Sequence, residues 1–215
     1  ISCIGEAGAT ITLVVSDGAT TLDTLSTTIG EDGTWSIAGV NTISLADGTL
    51  TFTVTATDET QNTATTSTTA AKDTVAPEGA LSSVTSPINA ANAHSVTASG
   101  TGEAGAGVVV IATDGEKFST TYTATVDENG DWSIAGIDVT DLNDGTVTFN
   151  MVITDAAGNA TQASTSTSKD TIAPTVEVTT SANPVTIANH KSLLLGGSGE
   201  PGSTVSVVVT DGTQS

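Results

Sequence analysis

Apolar and polar side chains alternate along most of this chain. In "TVTFNMVIT" (146–154) Val147, Phe149, Met151 and Ile153 are separated by Thr148, Asn150 and Val152. A period of two places one set on each face of a β-strand and gives one face to a core. Leu50, Phe52, Val54 and Ala56 repeat the parity, as do Ile11-Thr12-Leu13 and Val205-Ser206-Val207. Glycine-containing turns punctuate these runs, and Asn129-Gly130 in "DENGDW" predicts a type I′ hairpin. Thr, Ser, Gly, Ala and Val dominate, so little in the chain favours helix. The regular alternation also argues against disorder in so polar a sequence.

The pattern is periodic on a longer scale. A shift of 97 positions aligns the chain with itself without a gap. "GEAGA" at 5–9 meets "GEAGA" at 102–106 and "GEPGS" at 199–203, and Asp17-Gly18 meets Asp114-Gly115 and Asp211-Gly212. "WSIAG" at 35–39 meets 132–136, and "AKDTVAP" at 71–77 meets "SKDTIAP" at 168–174. Three units follow. Residues 1–74 form a repeat lacking its N-terminal strands, 75–171 a complete repeat, and 172–215 the N-terminal part of a third. The complete unit predicts seven strands, at 79–86, 94–101, 107–113, 118–126, 131–138, 146–154 and 160–168. Seven short strands in about 100 residues predict an all-β fold: tandem immunoglobulin-like antiparallel β-sandwiches, arranged end to end. Trp35 and Trp132, in equal register, are expected in the cores.

Charge narrows the function. The 24 Asp and Glu against 4 Lys and no Arg give a formal charge of −20. Such a chain has no basic footprint for nucleic acid and none for an anionic membrane surface. No apolar run is long enough to cross a bilayer, and no leader pattern is visible. The single cysteine, Cys3, permits no internal disulfide and has no catalytic partners. Carboxylates that recur with every unit, without a nucleophile, argue against an enzyme.

Topology gives the carboxylates a place to meet. In a sandwich, the loops after the second, fourth and sixth strands share the leading pole, where the linker arrives. Asp73 from the linker, Glu103 from "GEAG", and Asp155 and Asn159 from "DAAGN" therefore converge there. Such hard oxygen donors, with carbonyls and water, suit the six to eight ligands of calcium; magnesium fits less well. No Cys/His cluster suggests zinc. Local turn chemistry is the competing explanation for the Asp-Asn pair. Turn chemistry is also the expectation for Asp17, Asp47, Asp114, Asp141 and Asp144 at the trailing pole. His94 and His190, one residue out of register, read as solvent-exposed. "TATTSTTAA" (63–71) reads as the solvent face of a strand. No exposed aromatic cluster stands out, and Tyr122 reads as packing.

Together, "DTxAP", "GEAGA/GEPGS", "DGTWS", "ADGTLTFTVTATD" and "DAAGN" resemble the bacterial Ig-like tandem repeats of giant RTX-type surface adhesins. Those proteins are exported by type 1 secretion, and the likeness covers essentially the whole chain. It implies non-catalytic extender modules on the bacterial cell surface, stiffened by Ca2+ at inter-repeat junctions. Neighbouring repeats of the same chain are the implied partners, with any host or surface ligand held by distal domains. By position the metal ligands would be Asp73, Glu103, Asp155, Asn159 and Asp170, with Glu6, Asp58 and Asn62 in the first copy and Glu200 in the third. The first copy departs in having Gln61 where the second has Gly158. The alternative is an adhesin module that binds glycan or a host protein through its loops.

Overall fold

The protein is described by a computed structural model over residues 6–210. Cys3 and Asp211-Gly212 lie outside the described residues. The first repeat contributes β1 (Thr10–Ser16), β2 (Leu25–Thr28), β3 (Gly48–Thr57) and β4 (Thr63–Lys72). They form one antiparallel sheet in the order β2-β1-β3-β4.

The second repeat is complete: β5 (Gly79–Val84), β6 (Ile88–Asn89), β7 (Val96–Gly102), β8 (Gly107–Thr113), β9 (Tyr122–Thr125), β10 (Asp131–Ile137), β11 (Gly145–Thr154) and β12 (Ala160–Asp170). A three-stranded sheet, β10-β7-β5, faces a five-stranded sheet, β6-β12-β11-β8-β9. The third repeat supplies one antiparallel pair, β13 (Val176–Ser181) with β14 (Leu195–Gly199). No helix forms among the described residues, so none is long and apolar enough to cross a membrane.

The alternation does what it predicts. Val147, Phe149, Met151 and Ile153 are all buried and meet Val108, Val110, Trp132 and Ile137 from the other strands. Trp132 is 3% exposed, and its indole N–H donates to the Thr101 carbonyl at 3.2 Å. Beside it, Gly100 permits a close approach: a Cβ there would lie 1.9 Å from the Ala80 carbonyl oxygen. Gly197 repeats that geometry against Glu177 in the third repeat.

Four expectations are corrected. The strand expected at 79–86 ends at Val84, and beyond Pro87 a short strand not expected from sequence, β6, pairs parallel with β12 in the opposite sheet. The strand expected at 118–126 shrinks to β9. Asn129-Gly130 is not a type I′ hairpin, since Gly130 has φ +84° and Asn129 lacks a positive φ. That loop joins strands of different sheets, and Asp127 Oδ1 organises it by accepting the Asn129 and Asp131 N–H groups at 2.9 Å. Finally, 203–210 is not a strand, because no partner strand reaches it among the described residues. For the same reason "WSIAG" at 35–39 is unpaired and Trp35 only half-buried, while all of β4 except Lys72 is exposed. His94 and His190 are exposed, as expected.

Candidate metal centre at the inter-repeat junction

The leading pole of the second repeat assembles as its topology requires. The loop after β7 joins the start of β5 through Glu103 N–H to the Glu78 carbonyl at 3.2 Å. It joins the loop after β9 through Gly105 N–H to the Val126 carbonyl at 3.0 Å. The third repeat reproduces the first of these contacts between Glu200 N–H and the Thr175 carbonyl, at 3.2 Å.

The loop between β11 and β12 is built on Asp155. Its Oδ1 accepts N–H groups from Ala157, Gly158 and Asn159 at 2.7–2.9 Å. Its Oδ2 accepts the Asn159 side-chain amide at 2.9 Å. The Asn159 amide, followed by these N–H groups, stabilises the carboxylate and holds its pKa below the usual range. The same Asn159 Nδ2 also faces the Asp73 carbonyl at 3.3 Å, across 86 residues of sequence. Linker and loop therefore meet where the topology puts them.

Sequence placed four side chains at this corner, and the structure gathers only part of them. Asp73 contributes its backbone carbonyl to the contact, while its Oδ1 accepts Val75 N–H at 3.1 Å. Glu103 lies farther along, beside Val75, Ala76 and Pro77 in an open cleft. Among the described residues, no three Asp, Glu, His or Cys side chains are grouped closely enough to hold a metal. Two oxygens from different repeats, the Asp73 carbonyl and Asp155 Oδ2, converge on one amide. Both oxygens accept from that amide, so a hydrogen bond closes the corner.

The first repeat keeps the loop despite its substitution. Asp58 Oδ1 accepts Asn62 N–H and Oδ2 accepts the Asn62 amide, both at 2.7 Å. Gln61 adopts φ 68° where Gly158 has φ +96°, so the turn survives in a conformation that disfavours side chains. Glu6 is exposed and supplies a carbonyl to Ala9 N–H at 3.1 Å. Asp170, in the second linker, accepts Ile172 N–H at 3.0 Å, as Asp73 does with Val75.

The trailing pole holds a feature the sequence reading missed. Lys169, 4% exposed, donates to the Leu142 carbonyl and to Asp144 Oδ1, each at 2.8 Å. Asp144 in turn accepts Thr171 N–H at 3.0 Å and the Thr171 hydroxyl. The Lys169 ammonium and then Thr171 N–H pull the Asp144 pKa down to about 2. Lys72, Asp47 and Thr74 form the same latch in the first repeat, with the ion pair at 2.6 Å. The Lys and Thr of "KDT" thus tie each linker to the repeat it leaves. A signal existed: two of only four lysines recur in register with an aspartate 25 residues earlier. Asp114 links the turn after β8 to the segment before β11. The Asn143 N–H first, then those of Lys117 and Glu116, lower its pKa to about 2. Asp17 plays the same part through Thr20, Ala46 and Ala19 N–H groups.

Two facing sheets, a strand that changes sheet and a repeat of fixed length define tandem Ig-like modules. Residues 85–170, most of the second repeat, match the family described as bacterial Ig domain. The chain is similar to the tetra-tandem repeat in the extending region of a large adhesion protein, at 28% identity. That alignment covers 82% of this chain and 46% of the other, with a TM-score of 0.41. It is also similar to a Ca2+-stabilised adhesin that helps an Antarctic bacterium reach out and bind ice. There the identity is 29% over 84% of this chain and 45% of the other, with a TM-score of 0.45. An Ig-like domain from the M. primoryensis ice-binding adhesin aligns at 33% identity over 39% of this chain and 84% of its own, with a TM-score of 0.27. The chain spans about half the length of the first two solved chains. A search of curated proteins returns no match.

Proposed function

We propose that these repeats are non-catalytic extender modules of a large bacterial cell-surface adhesin, and that calcium at each junction fixes one repeat against the next. The observation that carries this reading is the Asn159 amide on the Asp73 carbonyl, where a loop of one repeat holds the linker from the repeat before it. The latch of Lys169, Asp144 and Thr171 supports it from the other side of a junction. Together the contacts restrain a linker that composition alone would leave free.

Calcium would be held by the Asp155 carboxylate, the Asp73 carbonyl and carboxylate, and Glu103. Asn159 would turn its amide so that its side-chain oxygen replaces the N–H2 now on the Asp73 and Asp155 oxygens. Asp58, Asn62 and Glu6 would serve the first copy, and Asp170 with Glu200 the junction to the third. The ion supplies positive charge between carboxylates that otherwise repel. Extracellular sites of this kind bind at about 10⁻⁴–10⁻³ M, which fills them outside a cell and empties them within. Such a stalk would be exported loose and stiffen on arrival.

Small-angle scattering of the whole chain, with calcium and with chelator, tests the proposal alongside calorimetric calcium titration. The expected result is a saturable heat, lost in Asp155→Ala, and a longer maximum dimension with calcium. Unchanged dimensions and no specific heat would overturn it.

A further inference from the structure

The repeats provide an internal control for what the scaffold needs. At the leading pole, "EAGA" at 103–106 is identical to 6–9. Over 116–122, by contrast, only Thr121 matches its counterpart, and over 138–141 nothing does. These two divergent segments are neighbours in space. Phe118, Tyr122, Asp138 and Asp141 help line one groove of about 260 Å3 beside β9.

Phe118 is 65% exposed. Its counterpart in the first repeat is Thr21, also exposed, so the fold does not require an aromatic ring there. The neighbouring position reinforces the contrast. Leu22 packs against the core of the first repeat, whereas its counterpart Ser119 spends its hydroxyl on Ala112 N–H at 3.0 Å. The second repeat has thus lost an inward leucine here and gained an outward phenylalanine.

The groove is already rigid. Tyr122 accepts Asp138 N–H at 2.8 Å through its hydroxyl, so it joins the two segments as well as packing on the core. Asp138 Oδ1 is held by Thr140 N–H at 2.9 Å and the Thr140 hydroxyl at 2.7 Å. The first repeat has Leu25, Asn41 and Ser44 in place of Tyr122, Asp138 and Asp141, so it lacks the aromatic rings and both carboxylates. The nearby cation, Lys117, is engaged by the Asp141 carbonyl at 2.9 Å and Asn143 Oδ1 at 3.1 Å.

We infer that this groove of the second repeat docks an arginine side chain of a partner protein, the guanidinium lying on the Phe118 ring between the carboxylates of Asp138 and Asp141. An exposed aromatic face attracts a cation, and carboxylates bond the edge of a planar guanidinium. The net charge of −20 draws basic partners to the surface, and the ring and the paired carboxylates select the place. The groove adjoins the Lys169 latch through Leu142 but uses none of the residues named above as calcium ligands.

The test is an NMR titration of the whole chain, at fixed calcium, with acetyl-Gly-Arg-Gly-amide and its citrulline analogue. The arginine peptide should shift amides of 117–122 and 138–142 saturably, while the citrulline peptide and the corresponding amides of the first repeat should not respond. Phe118→Thr and Asp141→Ser install the first repeat's own residues at exposed positions. Each should weaken binding by about threefold to thirtyfold. Shifts scattered over both repeats, or equal affinity in the variants, would overturn the inference. So would no response at millimolar peptide, or a saturable response to N-acetylglucosamine in place of arginine.

Discussion

Replacing Phe149 by alanine tests whether the second repeat carries a closed two-sheet core. Phe149 is 0% exposed and sits in the middle of β11, facing β7 and β10 across the sandwich. Truncating a fully buried phenylalanine removes its burial and leaves a cavity, for about 3–5 kcal/mol. For a unit of this size each kcal/mol lowers Tm by about 4–8 °C, so a fall of about 12–40 °C is expected. The counterpart Phe52 has the same chemistry and register but is only half-buried. About 2–3 kcal/mol is expected there, since its side chain packs on the core but keeps part of its surface in water. The protein carries its own reporters, one tryptophan in each of the first two repeats. Urea unfolding followed by Trp132 fluorescence in a Trp35→Phe background reads the second repeat. Trp35 in a Trp132→Phe background reads the first. Calcium must be held constant, because a ligand of the folded state shifts the midpoint. Equal costs at the two positions, or a cost below about 1 kcal/mol at Phe149, would refute the packing argument.

Three further outcomes follow from the loops. Lys169→Met leaves the Leu142 carbonyl and the Asp144 carboxylate without their ammonium, so the linker should loosen; faster amide exchange at Thr171 and Ile172 would show it, and unchanged exchange would rule out the latch. Asp144 has a folded pKa of about 2, below the 3.8 of an unperturbed aspartate. Its stabilisation is therefore complete above about pH 4 and lost as pH falls toward 2, and the acid unfolding in that window should shrink in Lys169→Met while the share due to Asp114 remains. Gln61→Gly relieves a left-handed side-chain residue and should stabilise the first repeat by about 1 kcal/mol, with Gly158→Gln costing the second about as much. Denaturation midpoints that do not move in opposite directions would contradict the shared loop geometry.

Much of the fold was legible because burial acts residue by residue. The parity of Val147 to Ile153 and the recurrence of Trp132 mark an inward face without reference to any partner strand. The Asp155 loop was legible too, because "DAAGN" closes on itself within five residues. Strand existence was less legible where pairing decides it. "WSIAG" is a strand at 132–136, where β7 pairs with it, while the same pentapeptide at 35–39 joins no ladder among the described residues. Periodicity cannot report a missing neighbour.

The candidate site divides in the same way. Sequence and topology together brought the linker of "KDTVAP" to Asn159, and the structure joins them through the Asp73 carbonyl rather than through a cluster of carboxylates. The Lys of that motif reads as a solvated charge until the fold buries it against Leu142 and Asp144. Phe118 reads as one more strand residue until Ser119 takes up the Ala112 N–H and leaves the ring outside. By itself the sequence determined the all-β class, the 97-residue period, the inward faces and the local turns, since each depends on side chains close along the chain. Only the tertiary structure decided which strands exist, which lysine is buried and which aromatic ring is exposed. Those depend on backbone partners and surfaces brought together from distant residues, which no local pattern encodes.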